Sequence, residues 1–104
     1  MVPHLMTVAE FLAVSKEHPL LVIDAYADWC GPCKQMAPLF EVLATKYATV
    51  FFFKVNTDDA QELASHLGIT SLPTFLIVKG GVIIDAVIGA NRDRLQAAVA
   101  ALIV

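Results

Sequence analysis

Charge is scarce in this 104-residue chain: Asp, Glu, Lys and Arg make up 16% of it, where about 25% is usual in soluble domains. Seven Lys and Arg against ten Asp and Glu leave a net charge of −3. There is no basic tract, which argues against a nucleic-acid partner. Two cysteines are too few for a disulfide-stapled scaffold. Apolar runs long enough to cross a bilayer, about 20 residues, are missing too. Residues 20–27 are interrupted by Asp24, and residues 97–104 are only eight long. At the N-terminus Pro3, His4 and Glu10 stand where an export signal would carry a basic head and an apolar stretch. The sequence therefore reads as soluble, outside the membrane and cytoplasmic, with an organelle open only if a targeting segment was removed. Repeats, low-complexity tracts and Pro/Ser-rich linkers are absent, and the length suits one domain over residues 1–104.

What the chain has in excess is apolar side chain. Counting tyrosine and leaving glycine out, 58% of residues are apolar, above the roughly 45–50% usual even with glycine included. Disorder needs the opposite balance. Thr7 and Glu10 have capping-box spacing, so a helix should follow to about Ser15, burying Val8, Phe11 and Leu12. Residues 20–26 and 50–55 are continuous apolar runs of the kind found in strands covered on both faces. Between them, residues 31 to about 47 carry Pro32 in a first turn and Leu39, Val42, Leu43 and Lys46 at helical spacing, with a kink expected at Pro38. A third helix should start near Asp59, where Asp59 and Glu62 repeat the capping box. It should bury Ala60, Leu63, Ala64 and Leu67 and end at Gly68. Residues 74–79 and 82–88 form a hairpin about Gly80-Gly81. Asn91 caps a last helix whose inner face is Leu95, Val99 and Leu102. The order αβαβαββα predicts an α/β fold, a central mixed sheet flanked by helices on both faces, with parallel central strands and an antiparallel hairpin at one edge.

Both cysteines lie in Trp29-Cys30-Gly31-Pro32-Cys33, between the first long strand and a helix start. A bare CxxC leaves three readings open: a redox pair, half of a zinc site, or two inert buried thiols. Zinc wants four ligands, and the other candidates are His4, His18 and His66, none at a metal-binding spacing and each best read as a surface residue. The wider pattern is more specific. Asp24-Ala25-Tyr26-Ala27-Asp28 precedes the motif and Lys34, Ala37-Pro38, Lys54-Val55-Asn56, Leu72-Pro73-Thr74, Lys79-Gly80-Gly81 and Gly89-Ala90 follow it. In these stretches, and in element order from first helix to last, the chain resembles the thioredoxin family.

That resemblance implies a thioredoxin fold and a protein-disulfide reductase. Cys30 would be the nucleophile and Cys33 the resolving thiol. Asp24 would be the proton acceptor and donor behind Cys33, acting through a water, and Lys54 would modulate Asp24. Elementary chemistry supports the pair: a thiol attacks as its thiolate, and a helix N-terminus favours negative charge there. Thioredoxins are themselves a standard instance of a lowered CxxC pKa. Two intervening residues put the sulfurs one helical turn apart, in reach of a reversible disulfide. Asp24 could instead be a hydrogen-bonded structural residue, and Lys54 a strand-end lysine with its charge in solvent. The family also implies a cis bond at Leu72-Pro73, with Trp29, Gly31, Pro32, Leu72, Pro73, Thr74, Gly89 and Ala90 forming an uncharged surface for an extended target segment.

Three positions depart from the commonest family pattern. Ala25 replaces an aromatic residue, so the Phe51-Phe52-Phe53 run would have to fill the core. Tyr26 replaces Trp, and Thr57 an aliphatic residue. The implied partners are disulfide-containing target proteins and a thioredoxin reductase that passes on electrons from NADPH. No bound cofactor or metal is implied, and the chain is expected to act as a monomer. An oxidase or isomerase of the same fold usually has His or Tyr between its cysteines, and Gly31-Pro32 favours the reducing type. A second alternative is a thioredoxin-fold interaction scaffold with a secondary redox role.

Overall fold

In the computed structural model, which describes residues 2–104, four helices and four strands alternate in the expected order. Thr7 opens α1 (Val8–Glu17) with both halves of the capping box: its Oγ1 accepts from the Glu10 N–H at 3.1 Å, and Glu10 Oε1 accepts from the Thr7 N–H at 3.1 Å. The helix runs two residues past the expected end. Phe11 is buried and Val8 half-buried, but Leu12 is 49% exposed, because the face α1 turns to the sheet is centred on Phe11.

β1 (Leu20–Tyr26) and β2 (Phe51–Asn56) run parallel, joined by α2 (Gly31–Lys46). Pro38 stands on the exposed side of α2 and the helix continues through it. Met36, Leu39, Phe40 and Leu43 make its buried stripe, whereas Val42, expected there, is 60% exposed. β3 (Thr74–Lys79) and β4 (Val82–Ile88) form the expected hairpin, and Gly80 and Gly81 both have positive φ, 60° and 80°. This is the backbone a two-residue turn needs and other residues resist.

The sheet order is β2-β1-β3-β4, with β3 antiparallel to both β1 and β4. The two central strands are therefore antiparallel, not parallel as expected. The connection through the short α3 (Gln61–His66) returns the chain to the sheet at the end at which β2 left it. α3 also begins two residues later than the sequence suggests. Asn56 Oδ1 accepts the N–H groups of Asp58 and Asp59 at 3.0 and 3.3 Å, which makes residues 56–59 a turn, and Asp59 caps nothing. Ala60, Leu63, Ala64 and Leu67 are buried as expected, and Gly68 ends the element at φ 74°.

Side-chain alternation splits the core in two. Val22, Phe52, Phe75 and Ile77 pack with Phe40 of α2 and with Leu95, Val99 and Leu102 of the last helix, α4 (Arg92–Ala101) and its cap. Leu21, Ile23, Phe53 and Val55 pack on the other face with Phe11 and Leu63. Phe52 and Phe53 thus serve opposite faces, while Phe51 is 41% exposed and stacks on His18 with centroids 3.6 Å apart. His4 and His66 are exposed, as expected. Among the described residues no helix is long and apolar enough to cross a membrane.

Asn91 Oδ1 caps α4 by accepting from the Arg94 N–H at 3.0 Å. Arg94 Nη2 also reaches back to both carboxylate oxygens of Asp85 on β4 at 2.7 Å, which holds that carboxyl below its ordinary range. The Thr7→Ala protein, deprived of the oxygen that accepts from Glu10, is expected to lose about 1 kcal/mol of stability with an unchanged denaturant slope. Urea titration measures it, and an unshifted midpoint would contradict the capping assignment.

Candidate functional site

β1 ends at Tyr26 and α2 begins at Gly31, so the intervening turn brings Trp29 and Cys30 to the end of the sheet. Cys30 is the N-cap of α2: its N–H donates to the Ala27 carbonyl at 3.2 Å, and its Sγ accepts from the Cys33 N–H at 3.2 Å. A sulfur thus takes the place an oxygen holds in ordinary caps. Cys30 and Cys33, with Cα atoms 5.3 Å apart, are joined by a disulfide. Pro32 follows inside the first turn, where its missing N–H is not needed.

An open cleft of about 560 Å³ lies against Cys30. Five expected residues, Trp29, Cys30, Gly31, Pro32 and Leu72, line it. Thr57, Ala64, Ile69, Thr70 and Ser71 line it too. Of these only Thr57 was singled out near the site; Ala64 was expected in the buried stripe of α3, and Ile69, Thr70 and Ser71 belong to a loop that carried no signal. Leu72-Pro73 is cis. Pro73 is buried and its carbonyl accepts from the Gly89 N–H at 2.8 Å, which brings Gly89 to the proline. Gly89 has φ 90°, a backbone that L side chains rarely adopt. Ala90 is exposed beside it. Thr74 lies outside the cleft lining: it is buried, and its hydroxyl donates to the Ser71 carbonyl at 2.6 Å.

Trp29 is 72% exposed yet fixed in direction, since its Nε1–H donates to Asp58 Oδ2 at 2.9 Å. Asp58 is held in turn by the buried Asn56, which accepts its N–H and whose own Nδ2 lies 3.5 Å from Asp28 Oδ2. Sequence reasoning missed Asp58. An exposed Asp after a strand carries no signal until its partner is placed across 29 residues of chain.

Behind the disulfide, Asp24 is buried in the middle of β1 with Lys54 as its register partner on β2. Among the described residues its Oδ1 has no hydrogen-bond partner. A cavity of about 110 Å³ touches Asp24, Cys33, Ala37, Tyr26 and Lys54, room for one or more waters between carboxyl and sulfur. Burial pushes the Asp24 pKa up from 3.8 to about 7, against the opposing pull of Lys54 and with a smaller push from Glu41. Among the described residues no three His, Cys, Asp or Glu side chains are grouped to hold a metal ion.

A disulfide capping a helix at the open end of a mixed sheet, with a cleft before it and a buried acid behind it, defines a dithiol-disulfide exchange protein of the thioredoxin fold. Comparison with known proteins agrees. The thioredoxin family model matches residues 3–101. The H-type thioredoxin of Chlamydomonas reinhardtii is 46% identical over 93 residues, 88% of this chain and 82% of that protein. Thioredoxin H1 of Arabidopsis thaliana is 47% identical over 81 residues, 78% of this chain and 71% of its own length. The crystal structure of oxidised mitochondrial thioredoxin 3 from Saccharomyces cerevisiae superposes with a TM-score of 0.93 at 37% identity, covering 96% of this chain and 94% of that one. The chain belongs to the thioredoxin family. Like other members it is a thiol-disulfide oxidoreductase, a protein-disulfide reductase without a prosthetic cofactor.

The raised Asp24 pKa has a consequence for stability. The folded chain holds this proton up to about pH 7 and the unfolded chain only to about 3.8. The stabilisation is therefore complete below about pH 4 and disappears as pH rises through 7. The Asp24→Asn protein is expected to be the more stable at pH 8, by an amount on the order of 4 kcal/mol, with the advantage shrinking towards pH 4. Urea midpoints at the two pH values measure it. A pH-independent difference would mean that Asp24 does not titrate across this interval.

Proposed function

We propose that Cys30 is the attacking thiolate and Cys33 the resolving thiol of a general disulfide reductase. Cys30 Sγ attacks one sulfur of a target disulfide, the other target sulfur leaves as a thiolate and takes up a proton, and a mixed disulfide remains. Cys33 then gives its proton to the Asp24 carboxylate and attacks Cys30 Sγ. The Cys30–Cys33 disulfide forms and the second target thiol is released. Two electrons pass from the dithiol to the target. The observation that carries this reading is the Cys33 N–H on Cys30 Sγ at the start of α2. A donor already aimed at that sulfur stabilises its thiolate for the first attack, and in the second step the target sulfur is the leaving group.

Asp24 suits the proton transfer because a group with a pKa of about 7 is populated in both forms at neutral pH. Lys54, its neighbour on β2, modulates that value. Targets dock in the cleft as an extended segment. Trp29, Gly31, Pro32 and Leu72 meet its side chains, and the cis Pro73 with Thr74, Gly89 and Ala90 shapes the adjoining rim. Disulfide-containing proteins are the substrates. A solved structure similar to this chain, at 36% identity, comes from work on thiol resolution of a yeast mitochondrial 1-Cys peroxiredoxin through glutathione and thioredoxin systems. A thioredoxin reductase using NADPH restores the dithiol. The protein works as a monomer, since one chain supplies cysteines, cleft and acid, and the cytoplasm is the compartment we assign to it.

Insulin-disulfide reduction is expected to proceed catalytically with a thioredoxin reductase and NADPH and to stop when the reductase is omitted. No turnover with the complete system would overturn the reading. The Cys33→Ser protein is expected to accumulate targets as mixed disulfides on Cys30 in a reducing lysate, and their absence would remove the two cysteines from these roles. In the Asp24→Asn protein the resolving step is expected to slow more than the initial attack. Equal slowing in stopped-flow traces would rule out a shuttle specific to Cys33.

A further inference from the structure

Asp24, Tyr26 and Lys54 project from one face of the sheet. Asp24 and Tyr26 are two apart on β1, and Lys54 is the register partner of Asp24 on β2. All three border the cavity that reaches Cys33. The Lys54 ammonium lies 4.8 Å from the centroid of the Tyr26 ring, in cation–π range. The ring is itself secured. Its hydroxyl is 3.5 Å from His4 Nδ1, and the two rings pack edge-on with centroids 6.0 Å apart.

His4 belongs to a short strap that grips Lys54 by its backbone. The Lys54 N–H donates to the Pro3 carbonyl at 2.9 Å, and the Leu5 N–H donates to the Lys54 carbonyl at 2.9 Å. One segment therefore fixes the root of the lysine directly and its head through Tyr26. A lysine on a flexible four-carbon stem otherwise spreads its charge through solvent.

We propose that Tyr26 is a positioning residue for the resolving step: its ring, braced by His4, clasps the Lys54 ammonium at the mouth of the Asp24 cavity. The proposal rests on the assignment of Asp24 as proton carrier for Cys33. The other charges about Asp24 are Glu41 of α2, which opposes Lys54, and Lys34 and Asp28 at the cavity wall; Phe75, its register partner on β3, is neutral. None of these is attached to the Tyr26 ring. The clasp therefore controls one charge among several, and the one that favours the ionised acid.

Carboxyl carbon NMR of the oxidised protein reads the Asp24 titration directly. Tyr26→Leu keeps apolar bulk and removes the π face, and is expected to raise the Asp24 midpoint by about half a pH unit. The pH profile of mixed-disulfide resolution should move in the same direction. Tyr26→Phe keeps the ring and should leave the midpoint in place. In a Lys54→Met background Tyr26→Leu should produce no further shift. An equal shift in that background, a shift with Tyr26→Phe as large as with Tyr26→Leu, or no shift with Tyr26→Leu overturns the proposal. Should Asp24→Asn leave the resolving step untouched, the shuttle fails, and the NMR cycle still decides the clasp.

Discussion

The hydrogen bond from the Cys33 N–H to Cys30 Sγ is the constraint around which the rest of this protein is arranged. It makes one sulfur of the exchanging disulfide the cap of a helix as well. Helix capping requires an acceptor at this position, and the chemistry requires a stabilised thiolate. One geometry meets both needs. The requirement explains why the pair spans the first turn of α2, why α2 starts where β1 stops, and why the turn between them is tied back through the Ala27 carbonyl. Backbone dipoles at the start of α2 supply partial positive charge at that sulfur.

The second constraint is the carboxyl inside β1. In a chain with few charges, one of them sits where burial costs several kcal/mol if it ionises. Neighbouring residues in the same strand, Val22 and Ala25, are fully enclosed, so the site cannot have been left polar by accident of exposure. The fold tolerates Asp24 because it can remain protonated until about neutral pH. The neutral form favours the fold, and the proton transfer proposed for Asp24 would draw on the same ionisation equilibrium.

Much of this architecture was legible in the sequence. Thr7 and Asn91 announced their helices because a side-chain cap is a local event, complete within four residues. The buried strands and the Gly80-Gly81 hairpin were readable for the same reason. The Trp29–Cys33 motif, with Asp24 upstream and Leu72-Pro73-Thr74 downstream, carried the family. Long-range facts were not legible. The antiparallel pairing of β1 with β3 is a long-range fact, and the capping role read into Asp59 was lost because residues 57–59 turn on Asn56 and the helix starts only at Gln61. Asp58 and His4 were silent because their partners, Trp29 and Tyr26, are remote in sequence. Leu12 and Val42 show that helical spacing identifies a stripe more reliably than its edges.

The short connection of Gly89, Ala90 and Asn91 between β4 and α4 has a further consequence for recognition. At one end Gly89 donates to the Pro73 carbonyl, and at the other Asn91 caps α4, while Arg94 and Asp85 bridge the two elements across the gap. A connection closed at both ends and bridged behind has little conformational freedom left to lose. In the docking proposed above, the entropy of ordering this rim would already have been spent in folding, whichever target segment settles against it.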